Sequence, residues 1–230
     1  MKTIIKKALL IATLTLSAVS AYAVDTDCSN IYPNGDVPNE VGDELCFNHY
    51  AVIYSSFYKT SLISAEHLTA DDIKAAATIK RSGSFFADKQ VSSAKPSQYT
   101  HTGMQRGHLT PSGDMPDTAS QHQTYNMVNV TPETKQFNEV VWERIERNVR
   151  HQILDKGEAY IITAPIFAPT PPRINGIAVP KDVAKVVYFP TTKECEVYVV
   201  SNTDVPYTQT MSVSEFNSKY FRDYFTQECQ

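Results

Sequence analysis

The chain has 230 residues, 42% hydrophobic and 20% charged, with 21 basic side chains against 25 acidic ones and a formal net charge of −4. This balance excludes capture of a polyanion by the field of the whole molecule, so such a partner must be met by a local basic patch. No internal repeat or low-complexity block interrupts the chain. Lys2, Lys6 and Lys7 precede an apolar run from Ala8 to Ala21 that ends in Ala21-Tyr22-Ala23, the order of a secretory signal peptide over residues 1–23. Removing it takes away three lysines, moves the formal charge from −4 to −7, and starts the mature chain near Val24. Residues 24–230 have the length of one domain, and no later run approaches the ~20 apolar residues of a membrane span. A secreted or periplasmic protein follows. In that oxidising setting the cysteines, Cys28, Cys46, Cys195 and Cys229, read as two disulfides. Cys28 with Cys46 and Cys195 with Cys229 keeps each pair in its own half of the chain. No CxxC spacing favours zinc.

Residues 25–43 are rich in Asn, Asp, Pro and Gly and read as irregular. The aromatic and β-branched run from Phe47 to Tyr58 predicts a strand, whereas Thr60 to Leu68 is ambiguous. Thr69 to Lys80 predicts a short helix with Thr69 as N-cap, and Lys80 to Tyr99 a polar loop. Gln121 to Val130, with TYNMVNV inside it, alternates as a strand that stops before Thr131-Pro132. From Asn138 to Lys156 there is no Gly or Pro, and Val141, Ile145, Val149 and Ile153 recur every four residues. That is an amphipathic helix, stopped by Gly157. Glu158–Phe167, Ala184–Phe189 and Cys195–Val200 predict strands, Pro169 to Asn175 a Pro-rich loop, and Ser212 to Phe225 a short closing helix.

On the long helix Asn138, Trp142, Glu146 and Arg150 stand four residues apart, a second stripe rotated about 60° from the apolar one. An amide, a carboxylate and a guanidinium along one edge suit a hard cation beside a phosphate, because such cations take oxygen ligands and Mg²⁺ keeps most of its waters. Upstream, Gln105-Arg106-Gly107-His108 sets a cation and an imidazole side by side. A His titrates near neutrality and can take a proton from water, and an Arg can stabilise charge developing on a phosphoryl group.

QRGHLTPSGDM, followed by YNMVNVTPE and then by FNEVVWERIE, resembles the DNA/RNA non-specific endonucleases of the ββα-metal type. The family signature is DRGH, an Asn-hydrophobic-[ST]-Pro segment, and an Asn-Gln/Glu-x-x-Trp-x-x-x-Glu helix, in that order. The resemblance implies an α+β fold with a central, mainly antiparallel sheet, flanking helices and a ββα-metal unit. It implies hydrolysis of phosphodiester bonds in DNA and RNA with little sequence preference. His108 falls on the family's general base, Asn138 on its direct Mg²⁺ ligand, and Glu146 on the carboxylate that holds the metal through water. Mn²⁺ is the natural substitute ion. Arg106 and Arg150 match phosphate-contacting arginines, and Asn129 a supporting residue. Trp142 matches a family Trp whose simplest role is core packing.

Two positions depart from the family. Gln105 replaces the usual Asp and becomes a candidate for the outer shell of the metal. Lys59 stands where an Arg is common, and it can neutralise a phosphate without gripping it bidentately. Lys80, Arg81, Lys89 and Lys95 are candidates for the basic patch. His49, His67, His101, His122 and His151 share no short spacing and read as surface or packed residues. Two other readings stay open: an inactive nucleic-acid-binding protein that has kept the fold, with Gln105 as the mark of decay, and a small-nucleotide phosphodiesterase. A homodimer and an inhibitor protein as partners also stay open.

Overall fold

A computed structural model describes residues 28–229 of the chain. The expected signal peptide and its cleavage point lie outside these residues. Among the described residues are eleven strands: β1 (Asp43–Cys46), β2 (Tyr50–Ser55), β3 (Thr60–Thr69), β4 (Gln105–His108), β5 (Val130–Glu133), β6 (Glu158–Ile166), β7 (Arg173–Ile174), β8 (Ile177–Ala178), β9 (Asp182–Phe189), β10 (Glu194–Ser201) and β11 (Thr208–Thr210). Four α-helices accompany them: α1 (Ala70–Ala76), α2 (Thr118–Thr124), α3 (Glu143–Lys156) and α4 (Val213–Tyr220). Seven strands make one sheet in the order β1-β2-β3-β6-β9-β10-β11, and every neighbouring pair in it is antiparallel. The pairs β4-β5 and β7-β8 stand apart as two-stranded ribbons. The expected α+β class and central antiparallel sheet are therefore met.

The sheet is covered on both faces, and the alternation of its strands assigns residues to each. On β6, Ala159 and Ile161 join the core shared with α3, while Ile162 and Ala164 join the core shared with α4. Ile145, Val149 and Ile153 of α3 are buried in the first core as the four-residue spacing requires, and Val141 packs at its margin. Burying each such side chain is worth about 1.5–3 kcal/mol. Helix α1 has the predicted cap: Thr69 Oγ1 accepts from Asp72 N, and the Asp72 carboxylate accepts from Thr69 N. Both predicted disulfides are present, Cys28–Cys46 and Cys195–Cys229. Each ties a terminal segment to the sheet, and all four cysteines border the core under α4. Among the described residues no helix is long and apolar enough to cross a membrane.

Three elements differ from their sequence reading. The ambiguous segment 60–68 lies in the longest strand, β3, in the interior of the sheet. It is buried on both faces, which erases the alternation that would have marked it. The predicted strand over 121–130 is instead the end of α2, a 3₁₀ turn at Met127–Asn129, and only then β5. Asp117 caps α2 by accepting from Ala119 N and Ser120 N, and Asn126 accepts from Val128 N. These local side-chain bonds compete successfully with an extended chain. Pro132 is tolerated in β5 because that strand sits in a two-stranded ribbon, where an edge position needs no second ladder. Finally, the long helix opens not as α-helix at Asn138 but as a π-helical turn over Phe137–Trp142.

Candidate active site

The ribbon β4-β5 pairs Gln105 with Glu133, Arg106 with Pro132, Gly107 with Thr131 and His108 with Val130. Gly107 lies inside the strand rather than at a turn. Its role is close approach: a Cβ there would sit 1.9 Å from Cδ and 2.0 Å from Oε2 of Glu133. The ribbon, the π-helical turn and α3 form the ββα unit, and they enclose a cleft of about 630 Å³. Gln105, Arg106, His108, Asn138, Glu146 and Arg150 all line it. Six residues taken from two motifs about thirty positions apart thus converge on one space.

His108 is buried against two rings, with Phe85 at 5.1 Å and Tyr125 at 5.0 Å between centroids. Its Nε2 has no hydrogen-bond partner. Burial, and then the charge of Arg81, hold its pKa down to about 3, so the imidazole is neutral across the physiological range. Asn138 donates from Nδ2 to Gln105 Oε1 at 2.7 Å. Glu146 accepts no hydrogen bond from any described residue, and burial pushes its carboxyl up to about 7; Lys185 and Arg150 oppose that rise, while Asp114 adds to it. Arg150 is fixed by Asp114, Nη1 to Oδ1 at 2.6 Å. Arg106 donates to the Pro96 carbonyl at 3.2 Å and lies over the Phe85 ring at 5.5 Å.

Asn129 is fully buried and does not line the cleft. Its Oδ1 accepts from Thr110 N and Ser64 Oγ, and its Nδ2 donates to the carbonyls of Thr110 and Thr124. With its backbone carbonyl accepting from Leu109 N, it ties the chain just after His108 to β3 and to the end of α2. Lys59 sits in the turn between β2 and β3 at a φ of 57° and is not among the cleft-lining residues. Trp142 is 1% exposed in the core, with Lys185 Nζ 5.3 Å from its ring.

Glu139, Glu66, Glu133 and Lys185 carry no role in the sequence motifs, and Arg81 is only one of four candidates for a basic patch. Arg81, one of four loop cations, is brought to the cleft, where its Nε donates to Tyr125 Oη at 3.3 Å. Glu139 lines the same wall and accepts from Gln105 Nε2. Beneath the site, Glu66 and Glu133 are buried with carboxyl oxygens that have no partner, and burial raises both far above the ordinary carboxylate range. Lys185, 1% exposed, donates to Thr163 Oγ1 at 2.8 Å. A signal for two of them exists: Glu66 and Lys185 are single charges inside apolar strand runs, where an unpaired charge is costly.

Among the described residues no three His, Cys, Asp or Glu side chains converge to hold a metal ion. Within the cleft, Asn138 Oδ1 and the Glu146 carboxylate accept no hydrogen bond from any described residue, one oxygen donor neutral and one acidic. Such a sparse oxygen set fits a hydrated hard cation such as Mg²⁺ better than a fully protein-caged one.

Nuclease C1 of Cunninghamella echinulata var. echinulata is 31% identical over 139 residues, covering 58% of this chain and 55% of its own. A nuclease of Nostoc sp. is 28% identical over 163 residues, covering 67% and 58%. Mitochondrial endonuclease G of Caenorhabditis elegans is 25% identical over 192 residues, covering 74% and 62%. The chain thus spans between half and two thirds of the length of these relatives. The solved EndoG/EndoGI complex, described as revealing the mechanism of EndoG inhibition, contains a chain with the same fold at a TM-score of 0.72 and 20% identity, covering 82% of this chain and 87% of that one. The family model for DNA/RNA non-specific endonucleases matches residues 29–225. The chain belongs to the DNA/RNA non-specific endonuclease family.

Proposed function

We propose that the protein is a secreted or periplasmic endonuclease that hydrolyses phosphodiester bonds of DNA and RNA with a divalent cation, Mg²⁺ in the cell and Mn²⁺ as a working substitute. One observation carries the reading: a buried imidazole whose Nε2 has no hydrogen-bond partner shares a cleft with the Asn138 amide, the Glu146 carboxyl and three arginines. Asn138 would hold the cation directly and Glu146 would hold it through bound water. When bound, the cation supplies positive charge that stabilises the phosphorane-like transition state.

The chain's own groups do the remainder. His108 accepts the proton of the water that attacks phosphorus in line, for which a neutral ring is required. Arg106 and Arg150 lie on the cleft walls, where they meet the phosphate and offset the charge that develops as the bond to the 3′ oxygen breaks. Asp114 holds Arg150 in place at 2.6 Å. Arg81 widens the basic surface that an acidic protein needs for a polyanion. Contacts of this kind read backbone rather than base, which accounts for low sequence preference.

The test is an assay of the purified mature chain on three polymers, plasmid, single-stranded DNA and RNA, and separately on dinucleotides, each with Mg²⁺, Mn²⁺ or EDTA. Cleavage of all three polymers that EDTA abolishes is expected. Binding without cleavage would replace this reading with that of an inactive nucleic-acid-binding protein, and cleavage of dinucleotides alone with that of a small-nucleotide phosphodiesterase.

A further inference from the structure

The geometry points to Glu139 and Gln105 as positioning residues that decide which end of the Asn138 amide faces the cleft, an inference that rests on Asn138 being the metal ligand. An amide is reversible: turned one way it offers a carbonyl oxygen to a cation, and turned the other it offers two N–H donors, which repel one. Asn138 alone has no preference strong enough to choose. Its neighbours supply the choice through the one group in the chain of contacts that cannot be reversed.

That group is Glu139, because a carboxylate only accepts. Glu139 Oε1 accepts from Gln105 Nε2 at 2.5 Å, so the nitrogen end of Gln105 is committed to it. The other end, Gln105 Oε1, is therefore turned to Asn138, whose Nδ2 donates to it at 2.7 Å. Asn138 Oδ1 is left with no donor from any described residue. Polarity is passed in one direction, from carboxylate through the Gln105 amide to the Asn138 amide. The backbone makes this possible: Gln105 is the first residue of β4, and Asn138 and Glu139 are adjacent in the π-helical turn. Lys135 Nζ, 3.8 Å from Glu139 Oε2, holds the outer end of the relay. Gln105 then has a structural reason to be an amide. A carboxylate at 105 beside Glu139 would set two acceptors against each other, whereas Gln105 donates to one neighbour and accepts from the other.

The test measures Mn²⁺ binding to the full mature protein, disulfides intact and no nucleic acid present, by electron paramagnetic resonance. Gln105→Met keeps the net charge and the size but breaks the relay, and loss of such a supporting partner weakens metal affinity about 10- to 100-fold. The paired substitution Gln105→Glu with Glu139→Gln also keeps the net charge and preserves donation from Asn138, so it binds Mn²⁺ within about threefold of the unaltered protein, well short of that loss. Wild-type affinity in Gln105→Met overturns the relay, as does loss of affinity in the paired variant while circular dichroism shows it folded. Asn138→Ala is the control for the underlying reading: Mn²⁺ binding that survives it overturns Asn138 as ligand. A second readout tests the relay without metal. Solvent exchange of the Asn138 side-chain NH₂, followed by NMR and assigned by its disappearance in Asn138→Ala, is faster in Gln105→Met; equal exchange overturns the positioning role.

Discussion

The two faces of the central sheet are built on opposite principles. The face toward α4 is an apolar core of side chains such as Ile63, Ile162, Val186 and Phe216, with the two disulfides at its margin. The face toward α3 also packs tightly, yet its strands carry Ser64, Glu66, Thr163 and Lys185 inward, and the cleft stands above them. Register puts three of them in one polar row, Ser64 opposite Thr163 and Thr163 opposite Lys185, with Glu66 two residues along β3 opposite Ile161. Buried polar groups of this kind cost stability unless they are satisfied. One face stabilises the fold while the other uses part of that stability to hold charges near the cleft.

The largest expected effect breaks the chemistry and leaves both cores standing. His108→Ala lowers plasmid cleavage by about 10²- to 10⁴-fold, the usual worth of a positioned base, with thermal unfolding close to that of the unaltered protein; wild-type-like cleavage removes His108 from the mechanism. Attacking the other face instead, reduction of the disulfides should cost about 3 kcal/mol for each bridge, given sequence separations of 18 and 34 residues. Urea unfolding with and without reductant checks this, and an unchanged midpoint would show that the apolar core suffices alone. Arg150→Ala mixes the two faces' roles. It leaves Asp114, whose side chain is 5% exposed, without its cation, and the penalty for a stranded buried charge is about 3 kcal/mol. Arg150→Ala combined with Asp114→Asn should recover stability without recovering cleavage; recovery of both would make Arg150 merely structural.

A smaller effect distinguishes the faces by pH. Glu66 and Glu133 keep their protons in the fold well above the ordinary value of 4.5, so the unfolded chain releases protons that the native one retains. Stability is therefore lost as pH rises from about 4.5 toward their folded values, at about 1.4 kcal/mol per pH unit for each group. His108 works with the opposite sign, because its folded value of about 3 lies below 6.5 and stability falls as pH drops between them. Glu133→Gln should flatten the alkaline loss in urea titrations at pH 5 and pH 8, and an unchanged slope would mean that the carboxyl is ionised in the fold. The smallest effect is expected at Lys59: outside the cleft, its change to Ala should alter cleavage less than about twofold, within the range of surface substitutions.

Legibility tracked the range of the forces involved. Helix α3 could be read because an apolar residue every fourth position and a terminal Gly are local signals, and the cap of α1 needed only Thr69 and Asp72. Strand β3 was obscure because burial on both faces removes period-two patterning, and TYNMVNV misled because Asn126 and Asp117 bond to nearby backbone instead of yielding to an extended chain. In the cleft, His108, Arg106, Asn138, Glu146 and Arg150 followed from motif order. Arg81 did not, since nothing local separates it from Lys80, Lys89 and Lys95.

By itself the sequence determined the residue types of the site, the helix that presents half of them, and the cysteine pairs that close each end of the chain. Only the tertiary structure decided what Gln105 does. Its meaning depends on Glu139 and Asn138, which lie across a β-ribbon and a π-helical turn 34 and 33 residues away, and the direction of a hydrogen bond is set by partners in space rather than by neighbours in the chain.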